Sequence, residues 1–230
     1  MTALRLADAA EGIAREAGLL AAGRPAVLLW QAEAPALVVP AAWARRASFV
    51  EAGAECARLG WPVLARSSGG GGVPQGPAVL NLAIVLPAAG LTLEAGYGLI
   101  CGAFREALTR FEIASGTGPV EGAFCDGRWN VTVAGRKLVG TAQRWSAAEG
   151  RRTALIHAAM LLDRPEPRFW EALGHVHRAA GLRVDPKPEA HLAVSEILPR
   201  TMRPGALIGA VARAAEDRLA AALGESSPAA

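Results

Sequence analysis

The first half of the chain alternates short apolar runs with longer segments rich in alanine and leucine. Short apolar runs bounded by proline or glycine are typical of buried strands, whereas proline-free segments that end at a glycine are typical of helices. We therefore predict strands over residues 26–30, 36–39, 62–65 and 78–86, and helices over residues 6–22, 49–59 and 98–111.

The second half opens on a hairpin pattern, since residues 129–133 and 136–141 flank the turn-forming pair Ala134-Gly135. A further strand is predicted over residues 154–162, and helices over 169–180, 194–198 and 206–222. Strands in pairs early and helices late predict an α+β fold with a mixed, largely antiparallel sheet flanked by helices. We expect a main domain over residues 1–165, a helical C-terminal extension over 166–224 packed on it, and a disordered tail over 225–230.

Composition and charge exclude several classes of protein. With 230 residues, 52% of them hydrophobic, the chain can bury a sizeable core. Its net charge of +3 is spread over scattered Arg, Asp and Glu, so we predict no nucleic-acid partner. No apolar run approaches the length of a membrane span, and the N-terminal residues lack the basic-then-apolar order of a signal peptide, so no membrane association is expected.

The cysteines and histidines do not form a metal-binding pattern. Cys56, Cys101 and Cys125 lie far apart without a CxxC pair, which disfavours a disulfide framework or a zinc site and predicts a cytoplasmic protein. His175 and His177 are two residues apart on a predicted helix, so their side chains face different sides. We therefore predict no metal ligands.

Lysine is rare in this chain. Of 24 basic residues, only Lys137 and Lys187 are lysine and the other 22 are arginine. A chain that uses arginine wherever a positive charge suffices, yet places a lysine directly after Arg136, indicates a role for a compact ammonium group. The alternative is a solvated surface lysine.

A glycine-rich segment, ARSSGGGGVPQG, follows the predicted strand at residues 62–65. Four consecutive glycines favour a loop, whose backbone amides could approach an anionic ligand beside Arg66. A flexible surface loop without a ligand is the alternative.

The hairpin WNVTVAGRKLVGTAQR carries the second candidate segment. Its second strand begins at Arg136 and Lys137 and continues into small residues, Gly140 to Ala142. Small residues would let a ligand lie against the backbone while Lys137 stabilises a carboxylate or a developing oxyanion.

Together these segments resemble the lipoate-protein ligase A family, whose acyl-binding core is shared with biotin-protein ligases and octanoyltransferases. The opening VLLWQAEAPALVV is similar to the family's Leu-Trp strand and the apolar strand after it. The family's Arg-x-Ser-Gly-Gly-Gly-x-Val loop matches residues 66–73, and the asparagine of its next strand matches Asn81. Its Gly-Arg/Lys-Lys hairpin and Ser-Gly-Ser-Ala-Gln strand match residues 135–143, and its His-Gly-Thr-Leu-Leu-Leu-Asp segment matches residues 157–163.

The resemblance implies an enzyme that attaches a lipoyl or octanoyl group to a lysine of a lipoyl-domain carrier, such as a glycine cleavage H protein or a 2-oxoacid dehydrogenase E2-like protein. It implies ATP and magnesium as cofactors, lipoate or octanoate as substrate, and Lys137 as the catalytic cation. The acyl-binding residues that it implies are Arg66, Ser68, Gly69, Gly70, Gly71, Gly72, Val73, Asn81, Gly140, Thr141, Ala142 and His157.

The sequence departs from the family's pattern in three places. Pro74, Gln75 and Gly76 replace Tyr-His-Asp, and Asn130 stands where the family has an acidic residue expected to help hold the magnesium–nucleotide. An amide brings no negative charge to a hard cation. The accessory domain of many ligases has no obvious counterpart after Pro167, so a separate accessory subunit is one candidate partner.

Two alternatives to an ATP-using ligase stay open at this point. One is an ATP-independent octanoyl or lipoyl transferase with Cys125 as its nucleophile, whose thiolate Arg128 and Lys137 would favour if they lie close to it. The other is a non-catalytic module that binds lipoate or lipoyl domains. A biotin ligase is disfavoured because the loop lacks that family's Gly-Arg-Gly-Arg type of signature.

Overall fold

The computed structural model describes residues 2–125, 127–148, 150–183, 185–199 and 201–224, and the predicted disordered tail at 225–230 lies outside them. The strands in these ranges are β1 Leu4–Leu6, β2 Ala26–Ala32, β3 Ala36–Pro40, β4 Val63–Arg66, β5 Val73–Gln75, β6 Val79–Pro87, β7 Gly116–Gly118, β8 Asn130–Val133, β9 Arg136–Ala148 and β10 Arg151–Leu161. The helices are α1 Ala9–Ala22, α2 Ala41–Ala44, α3 Phe49–Arg58, α4 Leu93–Thr109, α5 Pro167–Ala179 and α6 Pro204–Ala222, with short 3-10 turns over Pro188–Ala190 and Val194–Glu196.

The strands form two sheets. The larger sheet has seven strands in the order β1-β2-β6-β10-β9-β8-β7, and every neighbouring pair is antiparallel except β1 and β2. The smaller sheet has the order β4-β3-β5, in which β3 is parallel to β4 and antiparallel to β5. The prediction of a mixed, largely antiparallel sheet flanked by helices is therefore confirmed.

The seven-stranded sheet is covered on both faces, which is why β6 is an almost uninterrupted apolar run. Side chains alternate between the two faces of a strand. Leu82, Ile84 and Ile156 therefore face α4 and α6, where they join the main hydrophobic core. Asn81 and His157 fall on the opposite face, towards α1 and the small sheet.

Several elements begin or end away from their predicted bounds for local reasons. Helix α1 begins at Ala9 because the Asp8 side chain accepts a hydrogen bond from the Glu11 amide at 2.9 Å, while Leu4–Leu6 pairs with β2 as a strand. Helix α4 begins at Leu93 rather than at residue 98, because the Thr92 hydroxyl caps the Ala95 amide at 3.1 Å.

The helix predicted over residues 194–198 is a 3-10 turn over Val194–Glu196. The short elements α2, β5 and β7 were not predicted, because three or four residues are too few to show a period. Strand β9 continues to Ala148 rather than ending at residue 141, and it pairs with β10 in an antiparallel arrangement that was not predicted.

The C-terminal helices pack on different parts of the core. Leu207 and Val211 of α6 join the cluster of the large sheet and α4, whereas Phe169 and Leu173 of α5 pack with Phe49 of α3. The domain boundary at residue 165 stays a prediction. In the described residues, no helix is long and apolar enough to cross a membrane.

Candidate functional site

A mainly apolar pocket lies between the seven-stranded sheet, α1 and the small sheet. It encloses about 580 Å³ of empty space, the open solvent at its mouth included. Its lining residues are Ile13, Glu16, Trp30, Val38, Arg66, Val73, Gln75, Asn81, Cys125, Lys137, Gly140, Thr141, Ala142, His157, Ala158 and Ala159.

The pocket runs across the strands of the large sheet. Trp30 on β2 is in register with Asn81 on β6, and Ala159 on β10 is in register with both Asn81 and Gly140 on β9. Three strand spacings separate β2 from β9, a distance of about 14 Å. The pocket lining therefore extends across four neighbouring strands of the sheet.

Two buried amides close the pocket near Trp30. The Gln75 amide nitrogen donates to Asn81 Oδ1 at 2.9 Å, and the Asn81 amide nitrogen donates back to Gln75 Oε1 at 2.7 Å. Asn81 also donates to the Trp30 carbonyl at 3.4 Å. Gln75, which departs from the resembled family's pattern, thus forms a mutually satisfied pair with Asn81.

Lys137 lies at the other end of the pocket and is only 2% exposed. Its side chain passes over Gly140, where a Cβ would come within 3.0 Å of the Lys137 Cε and Nζ atoms. The ammonium donates to the carbonyl oxygens of Phe124 at 2.5 Å and Cys125 at 3.0 Å, and it lies 4.7 Å from the centre of the Phe124 ring. Lys137 therefore fixes the backbone that carries Cys125.

Cys125 lies where the pocket meets a second, more open cleft, and it lines both cavities. Its φ angle of 54° is uncommon for a residue other than glycine. A Cβ on Gly70 would lie 2.8 Å from the Cys125 sulfur, and a Cβ on Gly71 would lie 3.0 Å from its amide nitrogen. The loop must therefore be glycine at these two positions to approach the thiol so closely.

His191 supports the same backbone from the other side. Its Nε2 accepts a hydrogen bond from the Phe124 amide at 3.1 Å, and its ring stacks on Phe124 with centroids 4.3 Å apart. Burial, followed by the nearby charge of Lys137, lowers the pKa of His191 from 6.5 to about 4. His191 is therefore neutral at pH 7, as the bond from the amide requires.

A buried chain of hydrogen bonds connects α1 with the glycine-rich loop. The Trp30 indole donates to Glu16 Oε1 at 2.9 Å, and His157 Nδ1 lies 2.7 Å from Glu16 Oε2. His157 Nε2 lies 2.8 Å from the Ser68 hydroxyl, which accepts from Arg66 Nε at 3.1 Å.

Arg66 continues this chain into the loop. Its guanidinium donates to the carbonyl oxygens of Val38 at 3.0 Å and of Gly69 and Gly71 at 2.8 Å each. Burial lowers the pKa of Arg66, whereas the charges of Cys125 and Glu16 act in the opposite direction.

The cleft beyond Cys125 has aromatic, glycine and charged residues in its wall. Trp43, Tyr97 and the loop glycines Gly69 to Gly71 form part of its wall, and Arg183 and Asp185 bring charge to it. Tyr97 stacks on Trp129 with ring centroids 5.3 Å apart. Burial, followed by the charge of Cys125, raises the pKa of Tyr97.

Most residues predicted for the site lie together. The structure places Arg66, Val73, Asn81, Cys125, Lys137, Gly140, Thr141, Ala142 and His157 at the pocket, and Gly69, Gly70 and Gly71 at the cleft. Ser68 lies behind His157, and Gly72 packs against Leu173 rather than lining either cavity. Their functional roles stay predictions.

Sequence reasoning missed Glu16 and His191. Glu16 is an ordinary helical residue in the sequence, and His191 lies in a proline-rich segment without a motif. One local signal pointed to Glu16. It lies four residues after Gly12, so both residues share the face of α1 that packs against Trp30.

The position predicted to help hold a magnesium–nucleotide carries an amide in place of a carboxylate. The buried Asn130 amide donates to the Gly127 carbonyl at 2.8 Å and offers no charge to a cation. Within the described ranges, no three His, Cys, Asp or Glu side chains are grouped to hold a metal ion.

Comparison with known proteins gives three kinds of match. Residues 9–215 match the family model described as the lipoyl protein ligase A/B catalytic domain. An uncharacterised protein of Cupriavidus necator is 37% identical over 176 residues, which cover 70% of this chain and 69% of that protein. An octanoyl-(GcvH):protein N-octanoyltransferase of Kyrpidia tusciae is 40% identical over 87 residues, which cover 37% of this chain and only 30% of the transferase.

Solved structures agree with the fold at low sequence identity. A putative lipoate protein ligase of T. acidophilum with bound lipoic acid has a TM-score of 0.70 at 14% identity, covering 95% of this chain and 84% of its own. A lipoate-protein ligase A bound with ATP has a TM-score of 0.71 at 15% identity, covering 95% and 86%. At these identities the likeness establishes the fold alone.

Proposed function

Because the chain belongs to the lipoyl protein ligase A/B catalytic domain family, we propose that it transfers an octanoyl or lipoyl group to a carrier-domain lysine through a thioester on Cys125. The family comprises lipoate ligases and octanoyltransferases, so the predictions of this family and of an enzyme are confirmed. Substrate, partner and route to the product belong to the proposal.

One observation carries the proposal: Cys125 lines both the mainly apolar pocket and the second cleft, so it lies at their junction. An acyl group bonded to its sulfur can extend into the pocket while a second macromolecule approaches through the cleft. The other two cysteines are unsuited to this role, because burial raises the pKa of Cys56 to about 11 and that of Cys101 to about 12.

The transfer has two balanced steps. In the first, the Cys125 sulfur bonds to the acyl carbonyl carbon, the bond between that carbon and the donor breaks, and the thiol proton leaves with the donor group. In the second, the ε-amino nitrogen of the acceptor lysine bonds to the same carbon and the sulfur leaves. A proton from the amine restores the thiol.

Lys137 and the loop position these reacting atoms. The ammonium holds the carbonyl oxygens of Phe124 and Cys125, so it fixes the direction of the thiol. Gly70 and Gly71 bring backbone close to Cys125 from the opposite side. We infer that Lys137 acts by this fixed geometry and by the positive charge it brings beside the acyl carbonyl.

The pocket supports a medium-length acyl chain as substrate. Its length of about 14 Å and its apolar walls suit an eight-carbon chain. The Kyrpidia tusciae relative is named for transfer from octanoyl-GcvH to protein, which supports a lipoyl-domain carrier as the partner of this chain as well. A separate accessory subunit stays a prediction.

Mass spectrometry tests the proposal directly. Purified protein is incubated with an octanoylated glycine cleavage H protein and then with an apo lipoyl domain. We expect a thioester-linked octanoyl group on the Cys125 peptide and, after the second addition, its transfer to the acceptor domain. Cys125→Ala abolishes both, whereas Cys101→Ala, a matched change at a buried cysteine, leaves both in place.

Two other outcomes would contradict this route. Acceptor modification by free acid and ATP that survives Cys125→Ala would identify an ATP-using ligase. Binding of lipoate or of the carrier without any transfer, from either donor, would identify a non-catalytic module.

A further inference from the structure

The hydrogen-bond chain behind the pocket links α1 to the loop around Cys125, and its members are mostly buried. Glu16 is 5% exposed, Ser68 5% and Arg66 8%. We propose that Glu16 is a positioning residue that fixes the ring tautomer of His157 and, through Ser68 and Arg66, holds the glycine-rich loop against Cys125. This inference deepens the proposed transfer at Cys125 and rests on it for its functional consequence.

Both ends of the chain have a fixed polarity. The Trp30 indole and the Arg66 guanidinium can only donate hydrogen bonds. Arg66 Nε therefore donates to the Ser68 oxygen at 3.1 Å, and the Ser68 hydroxyl hydrogen is left to donate to His157 Nε2 at 2.8 Å. With the Ser68 hydrogen directed at it, His157 Nε2 is the acceptor, and we assign it no proton.

The other ring nitrogen must then be the donor. His157 Nδ1 lies 2.7 Å from Glu16 Oε2, and the second oxygen of the same carboxyl accepts from Trp30. A carboxylate can accept at both of its oxygens. Glu16 therefore sets a neutral His157 with its proton on Nδ1, an assignment that follows from the hydrogen-bond network.

The chain ends at the nucleophile. Arg66 Nη2 donates to the carbonyl oxygens of Gly69 and Gly71 at 2.8 Å each. Gly70 and Gly71 are the two residues whose added Cβ would collide with Cys125. A change at Glu16 is therefore transmitted through fixed hydrogen bonds to the loop that contacts the thiol.

Glu16→Gln would reverse the donor and acceptor roles in the hydrogen-bond chain while keeping nearly the same side-chain shape. The glutamine oxygen must still face Trp30, so its NH₂ group faces His157 Nδ1 and forces the proton to Nε2. The Ser68 oxygen then receives two donors, from Arg66 and His157, and its own hydrogen loses its acceptor.

Nitrogen-15 NMR of histidine-labelled protein reads the tautomer without any acyl transfer, so it remains informative if the proposed function fails. We expect an Nδ1–H ring for His157 in the wild type and in Ser68→Ala, and an Nε2–H ring in Glu16→Gln. An Nε2–H ring or a doubly protonated ring in the wild type at pH 7 would overturn the inference.

Steady-state transfer from the octanoylated carrier separates positioning from contact with the acyl chain. For Glu16→Gln we expect kcat to fall by roughly ten- to a hundredfold with KM nearly unchanged, because misplacement of a reacting group costs about this much. A rise in KM at constant kcat would instead mean that Glu16 acts as part of the pocket wall.

Glu11→Gln is the matched control, since Glu11 lies on the same helix but pairs with Arg15 in solvent. It is expected to change neither the His157 tautomer nor kcat. The double variant Glu16→Gln with Ser68→Ala no longer contains the Ser68 hydroxyl whose hydrogen lost its acceptor, so kcat of the double variant should fall less than the two single losses combined. Fully additive losses would contradict a shared chain.

Discussion

Burial, followed by the nearby charge of Lys137, keeps His191 neutral in the folded protein, so the stability of the protein depends on pH. The pKa of His191 is about 4 in the folded protein, against 6.5 for an unperturbed histidine. Each pKa unit corresponds to about 1.4 kcal/mol. At a pH below both values, protonation of His191 therefore stabilises the unfolded chain by about 3 kcal/mol more than the folded chain.

The sign follows from the lowered pKa. Above pH 6.5 both states hold His191 neutral, and its contribution to stability is complete. As the pH falls from 6.5 towards 4, His191 is protonated in the unfolded state but stays neutral in the folded state, so the free energy of unfolding decreases. At pH 5 we expect a loss of about 2 kcal/mol from this group alone, a large fraction of the stability of a typical domain.

Urea unfolding at pH 8 and at pH 5 measures this loss. His191→Gln keeps an acceptor for the Phe124 amide but cannot titrate. From pH 8 to pH 5, the unfolding free energy of the wild type should therefore fall by about 2 kcal/mol more than that of the variant. Titration of other groups contributes to both proteins and cancels. His175→Gln, a change at a half-buried histidine of α5, serves as the control.

A difference between wild type and His191→Gln that stays constant from pH 8 to pH 5 would refute the reasoning. It would mean that the folded protein accommodates a protonated His191. The bond from the Phe124 amide to Nε2 would then be absent, and with it this support of the Cys125 backbone.

Two further predictions concern packing near the pocket. Gly12→Ala should destabilise the protein by about 1–3 kcal/mol, before any gain in helix propensity is counted, because the new Cβ would lie 2.5 Å from the Trp30 ring. Gly18→Ala, on the same helix, places its Cβ in open space and should stabilise the protein by up to about 1 kcal/mol through helix propensity. Thermal unfolding of both variants decides this, and equal effects would disprove the contact. Gln75→Leu should lower the free energy of unfolding by about 1–3 kcal/mol, because it removes the side chain that pairs with the Asn81 amide. The double variant Gln75→Leu with Asn81→Leu should cost less than the two single losses together, as a double-mutant cycle of urea unfolding would measure.

The parts of the site that were predicted from the sequence have local signals. Four consecutive glycines after a strand specify a loop, and Ala134-Gly135 between two apolar runs specifies a hairpin. Both elements lie where they were predicted, and they bring Arg66 and Lys137 to the same pocket. Tight turns and strand alternation depend on near neighbours, which is why a single sequence suffices for them.

The parts that were missed depend on partners far along the chain. Glu16 is buried because Trp30 and His157, the latter 141 residues away, close over it. Strand β5 is three residues long and contains a proline, so only its pairing with β3 identifies it. No local pattern encodes such partners, because burial and strand pairing are set by the tertiary fold.

The rarity of lysine takes on a physical meaning at the site. Lys137 reaches the carbonyl oxygens of Phe124 and Cys125 by running along Gly140, at a distance that leaves no room for even one added carbon. A guanidinium is planar and broader than an ammonium, and its donors diverge in a fixed fork. It could not pass the same gap and still place two hydrogen bonds on adjacent carbonyls of one turn. Arginine serves at Arg66 for the opposite reason, because there the fork is used to bind several carbonyls and a hydroxyl at once.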